Sequence, residues 1–225
     1  PTTMAFLDDA RLRAVLPTLR RLASARVILI GHQSRPGKID FTSMAKHADR
    51  LGRLLGRAIT FVPDVCGDIA QDAIRHMRSG DMLFLDNVRG YDEENSMKNA
   101  DFDALQESEL VRNLAPLVDA YVMDAFAASH RNSPSLSGFG KALPCFAGEL
   151  MAKEVDALKM ATESPPKPYI AVLGGVKCDD TLEIAHNLCE RGVADTLVLV
   201  GAVGNLMLWA AGHNIGDGNE NFLRK

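Results

Sequence analysis

Four cysteines, Cys66, Cys145, Cys178 and Cys189, lie too far apart in this 225-residue chain to make a C-x-x-C pair or, with the histidines, a zinc-ligand set. A zinc module and a dithiol redox centre are thereby excluded, and reduced thiols are expected. The sequence also lacks an apolar run of the ~18 to 20 residues that cross a bilayer, and a charged-then-apolar segment at its start. A cytoplasmic protein is the expectation. Positive charge is not in excess: 25 Lys+Arg stand against 29 Asp+Glu, a formal net charge of −4. General attraction to nucleic acid or an anionic membrane is not favoured, so any anion has to be caught by a local cluster. Internal repeats, low-complexity segments, the G-x-x-x-x-G-K-[ST] loop and a dinucleotide fingerprint are absent as well.

What is present is an alternation of two periods, short apolar runs followed by longer stretches with helical spacing. Strands are predicted over 27–30, 59–62, 82–85, 120–123, 169–173 and 196–200, and helices over 9–24, 43–55, 67–78, 102–114, 148–162, 179–191 and 203–211. The runs are nearly unbroken apolar, as parallel strands covered on both faces require. The fold class expected is therefore α/β, a doubly wound parallel (Rossmann-like) sheet. Ser164-Pro165-Pro166-Lys167-Pro168 forbids continued helix and is read as a boundary between a first domain, 1–164, and an incomplete second α/β domain, 165–225. The front is read as incomplete too, because Pro1-Thr2-Thr3-Met4 runs almost directly into a helix.

In open α/β sheets ligands collect beyond the carboxyl ends of the strands. The residues there are basic: Gly31-His32-Gln33-Ser34-Arg35-Pro36, Asp86-Asn87-Val88-Arg89, and Asp124-Ala125-Phe126 followed by His130-Arg131. Three loops would point cations at one crevice, which suits a small, multiply charged anion. A single arginine there reads equally as a solvated charge. His32 is either a hydrogen-bonded structural imidazole or a crevice residue, and Asp124 either orients an arginine or caps a following turn.

The second domain opens on a strand, then Gly174-Gly175-Val176-Lys177, then a helix near Asp179. Glycines that let N–H groups approach, a lysine and a helix start make a phosphate-binding turn. The next strand ends in Gly201-Ala202-Val203-Gly204-Asn205, a second turn of the same kind, and two in adjacent βα units point to a nucleotide. Cys178 reads as a structural thiol, Asp92-Glu93-Glu94 as a solvated loop and Gly138-Phe139-Gly140-Lys141 as a turn.

With these residues in hand, the chain resembles the phosphoglycerate kinase family, and its archaeal branch in particular. The segments that carry the resemblance are Leu7-Asp8-Asp9-Ala10-Arg11-Leu12-Arg13, Gly31 to Pro36, Leu85-Asp86-Asn87-Val88-Arg89, Asp124 to Arg131, Gly148-Glu149-Leu150-Met151, Leu173 to Lys177, and Gly201 to Gly212. The resemblance implies two lobes joined by a hinge, the first for 3-phosphoglycerate or 1,3-bisphosphoglycerate and the second for Mg-ADP or Mg-ATP, with no nucleic-acid or membrane partner. By residue matching, Arg11, His32, Arg35, Arg89 and Arg131 bind the phosphoglycerate. Arg11 and Lys177 face the transferred phosphoryl group as catalytic residues, and Gly174, Gly175, Lys177, Gly201 and Asn205 contact the nucleotide.

Departures from the family pattern carry expectations of their own. Gln33 and Ser34 replace a leucine and a glycine, Thr181 stands where many members have a second lysine, and Gly201-Ala202-Val203 replaces a triple glycine. The family's opening strand and its later metal-binding loop find no match, so no metal ligand is named. The chain alone is expected to be inert. The rival reading is a non-catalytic anion-binding pseudo-enzyme module.

Overall fold

The computed structural model describes residues 6–224. Pro1 to Met4 lie outside the described residues. By its internal contacts the chain divides into two compact units, one ending at Glu154 and one beginning at Val155.

The first unit opens with two short helices, α1 (Ala10–Ala14) and α2 (Leu16–Arg21). The single helix expected over 9–24 breaks at Val15, because Pro17 has no N–H to donate back across that turn. Then come β1 (Val27–Leu29), α3 (Ala45–Leu55), β2 (Thr60–Val62), α4 (Asp68–Arg75) and β3 (Met82–Leu85). Next are α5 (Asp92–Ser96), α6 (Phe102–Gln106), α7 (Glu109–Leu114), β4 (Tyr121–Met123), α8 (Pro134–Ser137), β5 (Cys145–Ala147) and α9 (Glu149–Glu163), which spans the division between the units. Ser108 splits the helix expected over 102–114: fully buried, it ends α6 by donating its N–H to Leu105 and starts α7 by accepting from Val111 N–H.

Strands β1 and β2 flank β3 in parallel, with Val27 opposite Met82 and Thr60 opposite Leu83. Alternate residues of β3 supply two cores. Leu83 and Leu85 pack with Val62, Ile74, Leu110 and Phe139, while Met82 and Phe84 pack with Leu19, Met44, Ala48 and Leu51. All four β3 residues are buried, as a doubly covered strand demands. Strand β5 was not expected; three residues between Pro144 and Gly148 are too short to show a period. It pairs in parallel with β4.

Thus β1 and β4 each keep one edge without a strand partner among the described residues. These edges lie alongside each other: Arg26, before β1, pairs with Asp119, before β4, at 3.8 Å, and His32, after β1, meets Arg131, after β4, at 3.4 Å. A cavity of about 1490 Å³ runs between them, walled by apolar residues including Leu12, Val15, Leu19 and Leu143.

The second unit contains β6 (Ile170–Leu173), α10 (Cys178–Glu190), β7 (Thr196–Leu199), α11 (Gly201–Ala210) and α12 (Asp217–Leu223). Its two strands pair in parallel around a small cluster of Ala171, Leu188 and Val193. Among the described residues, no helix is long and apolar enough to cross a membrane.

Candidate anion-binding site

The loops that leave β1, β2 and β3 are stitched to one another by backbone and short polar side chains. Val88 N–H donates to Gly31 C=O at 3.2 Å, and Asp86 N–H to Asp64 C=O at 3.0 Å. Asn87, buried, holds the His32 loop from both sides: its Nδ2 donates to the carbonyls of Gln33 and Thr42, each at 2.8 Å, and its Oδ1 accepts from Gln33 N–H at 3.3 Å. Asp86 Oδ1 accepts from Met44 N–H at 2.9 Å, at the start of α3. Neither residue was assigned a role from the sequence. The signal was there, since short polar residues beyond a buried strand are the groups that can bond neighbouring loops.

On this frame Arg35, Arg89, Arg131, His32 and Arg11 come together. Arg131 Nη1 lies 3.4 Å from His32 Nε2. Desolvation, then the charges of Arg89, Arg131 and Arg11, push the His32 pKa down to about 4. The imidazole is therefore neutral at pH 7, with Nε2 free to accept from Arg131. Arg89 is itself held below the usual guanidinium range by burial, then by Arg131 and by Arg35, against an opposing pull from Glu94. None of Arg11, Arg35, Arg89 and Arg131 forms an ion pair among the described residues, although ten such pairs occur elsewhere, for example Arg50 with Asp9. Cations left mutually repelling rather than paired leave their donors available to an anion.

Asp124 resolves as a cap rather than an arginine partner. Its Oδ2 accepts from Thr18 Oγ1 at 2.6 Å and its Oδ1 from Met151 N–H at 3.1 Å, while Glu149 N–H donates to Thr18 Oγ1 at 2.9 Å, so it closes the first turn of α9. Ser34, in place of the expected glycine, adopts a left-handed backbone (φ 58°), with its Oγ donating to Asp40 at 2.5 Å. The acidic run at Asp92 is not a solvated loop: it forms α5, and the Glu94 carboxylate is buried.

In the second unit the two glycine turns lie side by side. A Cβ on Gly174 would come within 2.6 Å of Val200 Cγ2, and one on Gly201 (φ 63°) would stand 3.6 Å from Gly175 N. Lys177 sits at the N-cap position of α10, exposed and without an ion pair among the described residues. Asp179 and Asp180 occupy the first turn and already favour the positive end of that helix. The Asn205 amide donates to Asn219 at 3.1 Å, so it is engaged within the unit. The space around Gly175 is open, as a backbone approach by a phosphate would require. No cluster of three His, Cys, Asp or Glu suited to a metal occurs among the described residues. Mg²⁺ is commonly bound through one or two carboxylates together with substrate phosphates, so this does not conflict with a metal–nucleotide ligand.

Compared with known families, residues 1–222 match the family described as Phosphoglycerate kinase. The chain belongs to the phosphoglycerate kinase family. It is 44% identical over 219 residues to the phosphoglycerate kinase of Methanosarcina mazei, covering 97% of this chain and 52% of that one. It is 40% identical over 225 residues to that of Methanobacterium bryantii, covering 99% and 54%. Among solved structures, phosphoglycerate kinase from Pyrococcus horikoshii OT3 superposes with a TM-score of 0.90 at 37% identity, covering 98% of this chain and 54% of that one. The enzyme from Coxiella burnetii gives 0.74 at 29%, with 97% and 56% covered. The chain thus spans about half the length of the phosphoglycerate kinases it matches, and its likeness to archaeal members agrees with the branch expected from the sequence.

Of the residues matched to phosphoglycerate kinase, the five basic ones of the first unit gather in one cluster. Arg11, on α1, could not be found by the strand-end rule, yet its charge acts on His32. Gly174, Gly175, Lys177 and Gly201 gather at the paired turns of the second unit, whereas Asn205 is one turn into α11.

Proposed function

We propose that this chain is the phosphoglycerate-binding part and the beginning of the nucleotide-binding part of a cytoplasmic, glycolytic phosphoglycerate kinase. The reaction is reversible phosphoryl transfer between 1,3-bisphosphoglycerate and ADP, giving 3-phosphoglycerate and ATP, with the carboxylate of 3-phosphoglycerate as acceptor in the reverse direction. The observation that carries this reading is the group of Arg11, Arg89 and Arg131 around a neutral His32, with Arg35 acting on Arg89 and, among the described residues, no carboxylate in ion-pair contact. Phosphoryl transfer needs positioned cations more than covalent chemistry, because its transition state spreads negative charge over equatorial oxygens.

In this reading Arg35, Arg89, Arg131 and His32 hold the phosphoglycerate, and Arg11 and Lys177 stabilise the group in transfer. Gly174, Gly175, Gly201 and Asn205 belong to the nucleotide side. Mg²⁺ bound with the nucleotide would neutralise phosphate charge. The domain up to residue 164 would be the phosphoglycerate domain. The chain alone is expected to bind 3-phosphoglycerate without turning it over with ATP.

The test is isothermal titration calorimetry with 3-phosphoglycerate. Arg35→Ala and Arg131→Ala should each weaken binding by about 1 to 3 kcal/mol, the worth of a charge-assisted contact. Unchanged affinity in both would remove them from the site.

A further inference from the structure

Among the described residues, Glu94 is the carboxylate whose charge acts on Arg89, yet the two form no ion pair. It is 5% exposed, and a buried carboxylate is costly unless its oxygens are hydrogen-bonded. Here three donors from one distant segment satisfy it. Ser133 Oγ and Ser135 Oγ donate to Oε1 at 2.6 and 2.8 Å, and Ser135 N–H donates to Oε2 at 2.9 Å. That segment starts two residues after Arg131.

The neighbouring residue holds the other arginine loop. Asn95 Nδ2 donates to the backbone carbonyl of Arg89 at 2.8 Å and to that of Tyr91 at 3.1 Å. Just beyond α5, Asn99 N–H donates to Asn132 C=O at 2.9 Å, and Asn132 Nδ2 returns a bond to Ala100 C=O at 2.6 Å. Successive side chains of one short helix thus grip the loops of two different strands, those after β3 and β4.

We propose that Glu94 is a positioning residue of the anion site: by binding Ser133 and Ser135 it fixes the segment carrying Arg131 against the loop carrying Arg89. The carboxylate serves because it accepts from several hydroxyl and amide donors at once and offers none of its own. Its charge also acts favourably on Arg89, against the repulsion from Arg131 and Arg35. Loss of Glu94 frees Arg131 to swing away from His32, so the imidazole feels less positive charge.

That consequence gives a readout independent of any ligand, while an affinity readout rests on the phosphoglycerate reading above. The His32 pKa is measured by NMR titration in wild type, Glu94→Ala and Glu94→Gln, and the calorimetric affinity for 3-phosphoglycerate is measured alongside. In Glu94→Ala the His32 pKa should rise by roughly half a unit, and affinity should fall about tenfold. Glu94→Gln keeps an acceptor oxygen, and the serine hydroxyls can turn to accept from its amide, so both quantities should stay near wild type, affinity within about threefold. If Glu94→Ala does not fold, the Ser133→Ala/Ser135→Ala pair, which removes the hydroxyl donors, should move His32 in the same direction. An unchanged His32 pKa in a folded variant of either kind overturns the proposal. Absence of 3-phosphoglycerate binding in wild type would sink the functional reading, leaving the imidazole measurement to decide the role of Glu94.

Discussion

The two units handle their strands differently. In the first, β3 is buried on both faces, with Leu85 at 0% exposure, and two separate cores fix the loops that carry the basic cluster. In the second, β6 and β7 turn one face outward, with Ile170 at 56% and Val172 at 64%, and the core is a single small cluster. A set of repelling cations has to be held by rigid surroundings, since nothing in their mutual interaction favours assembly. The glycine turn needs only backbone geometry. So the first unit carries a built cluster, and the second carries a local motif.

The contrast breaks most sharply in stability. Leu85→Ala should cost about 2 to 5 kcal/mol in chemical denaturation, whereas Val172→Ala should change stability by less than about 0.5 kcal/mol. Comparable losses would mean that the second unit has a core of similar weight. Next in size are binding effects. Arg89→Ala should weaken 3-phosphoglycerate binding by about 1 to 3 kcal/mol, while Lys177→Ala should leave it unchanged in calorimetry.

A pH effect follows from His32. Its pKa in the folded protein, about 4, lies below the unfolded value near 6.5, because burial and the arginines disfavour its protonation. As pH falls from about 6.5 to about 4 the unfolded chain takes up a proton that the folded chain refuses, so stability declines across that window and His32 adds no further loss below it. His32→Gln should flatten this part of the profile in denaturation curves recorded from pH 7 to pH 4. A bound phosphate reverses the field, so 3-phosphoglycerate binding should be accompanied by proton uptake near pH 5, detectable as a dependence of binding heat on buffer. The smallest effect is expected at Ser34. Glycine there relieves the left-handed backbone but loses the Asp40 bond and loosens the unfolded chain, so Ser34→Gly should move stability by no more than about 1 kcal/mol.

How much of this was legible in the sequence depended on distance along the chain. Apolar runs announced six of the seven strands among the described residues: at β3 burial on both faces writes itself into consecutive residues, whereas β6 and β7 are apolar runs that leave one face exposed. The cluster residues His32, Arg35, Arg89 and Arg131 were legible for the same reason, each lying beyond a recognisable strand. Breaks at Val15 and Ser108 were harder, since helical spacing continues across them while Pro17 and a buried serine interrupt the hydrogen bonds. Glu94 was misread altogether. An acidic triplet looks solvated unless its partners are known, and Ser133 and Ser135 lie 39 and 41 residues away. Arg11 sits on a helix, and family resemblance alone brought it into the cluster before its charge was found acting on His32.

The most direct test follows backbone amide shifts of the chain by NMR as 3-phosphoglycerate is added. The account predicts saturable shifts concentrated after β1, β3 and β4, at Gly31 to Arg35, Asn87 to Gly90 and Ala128 to Asn132, with Gly174 to Lys177 unmoved. No shifts, or shifts confined to the glycine turn, would contradict it.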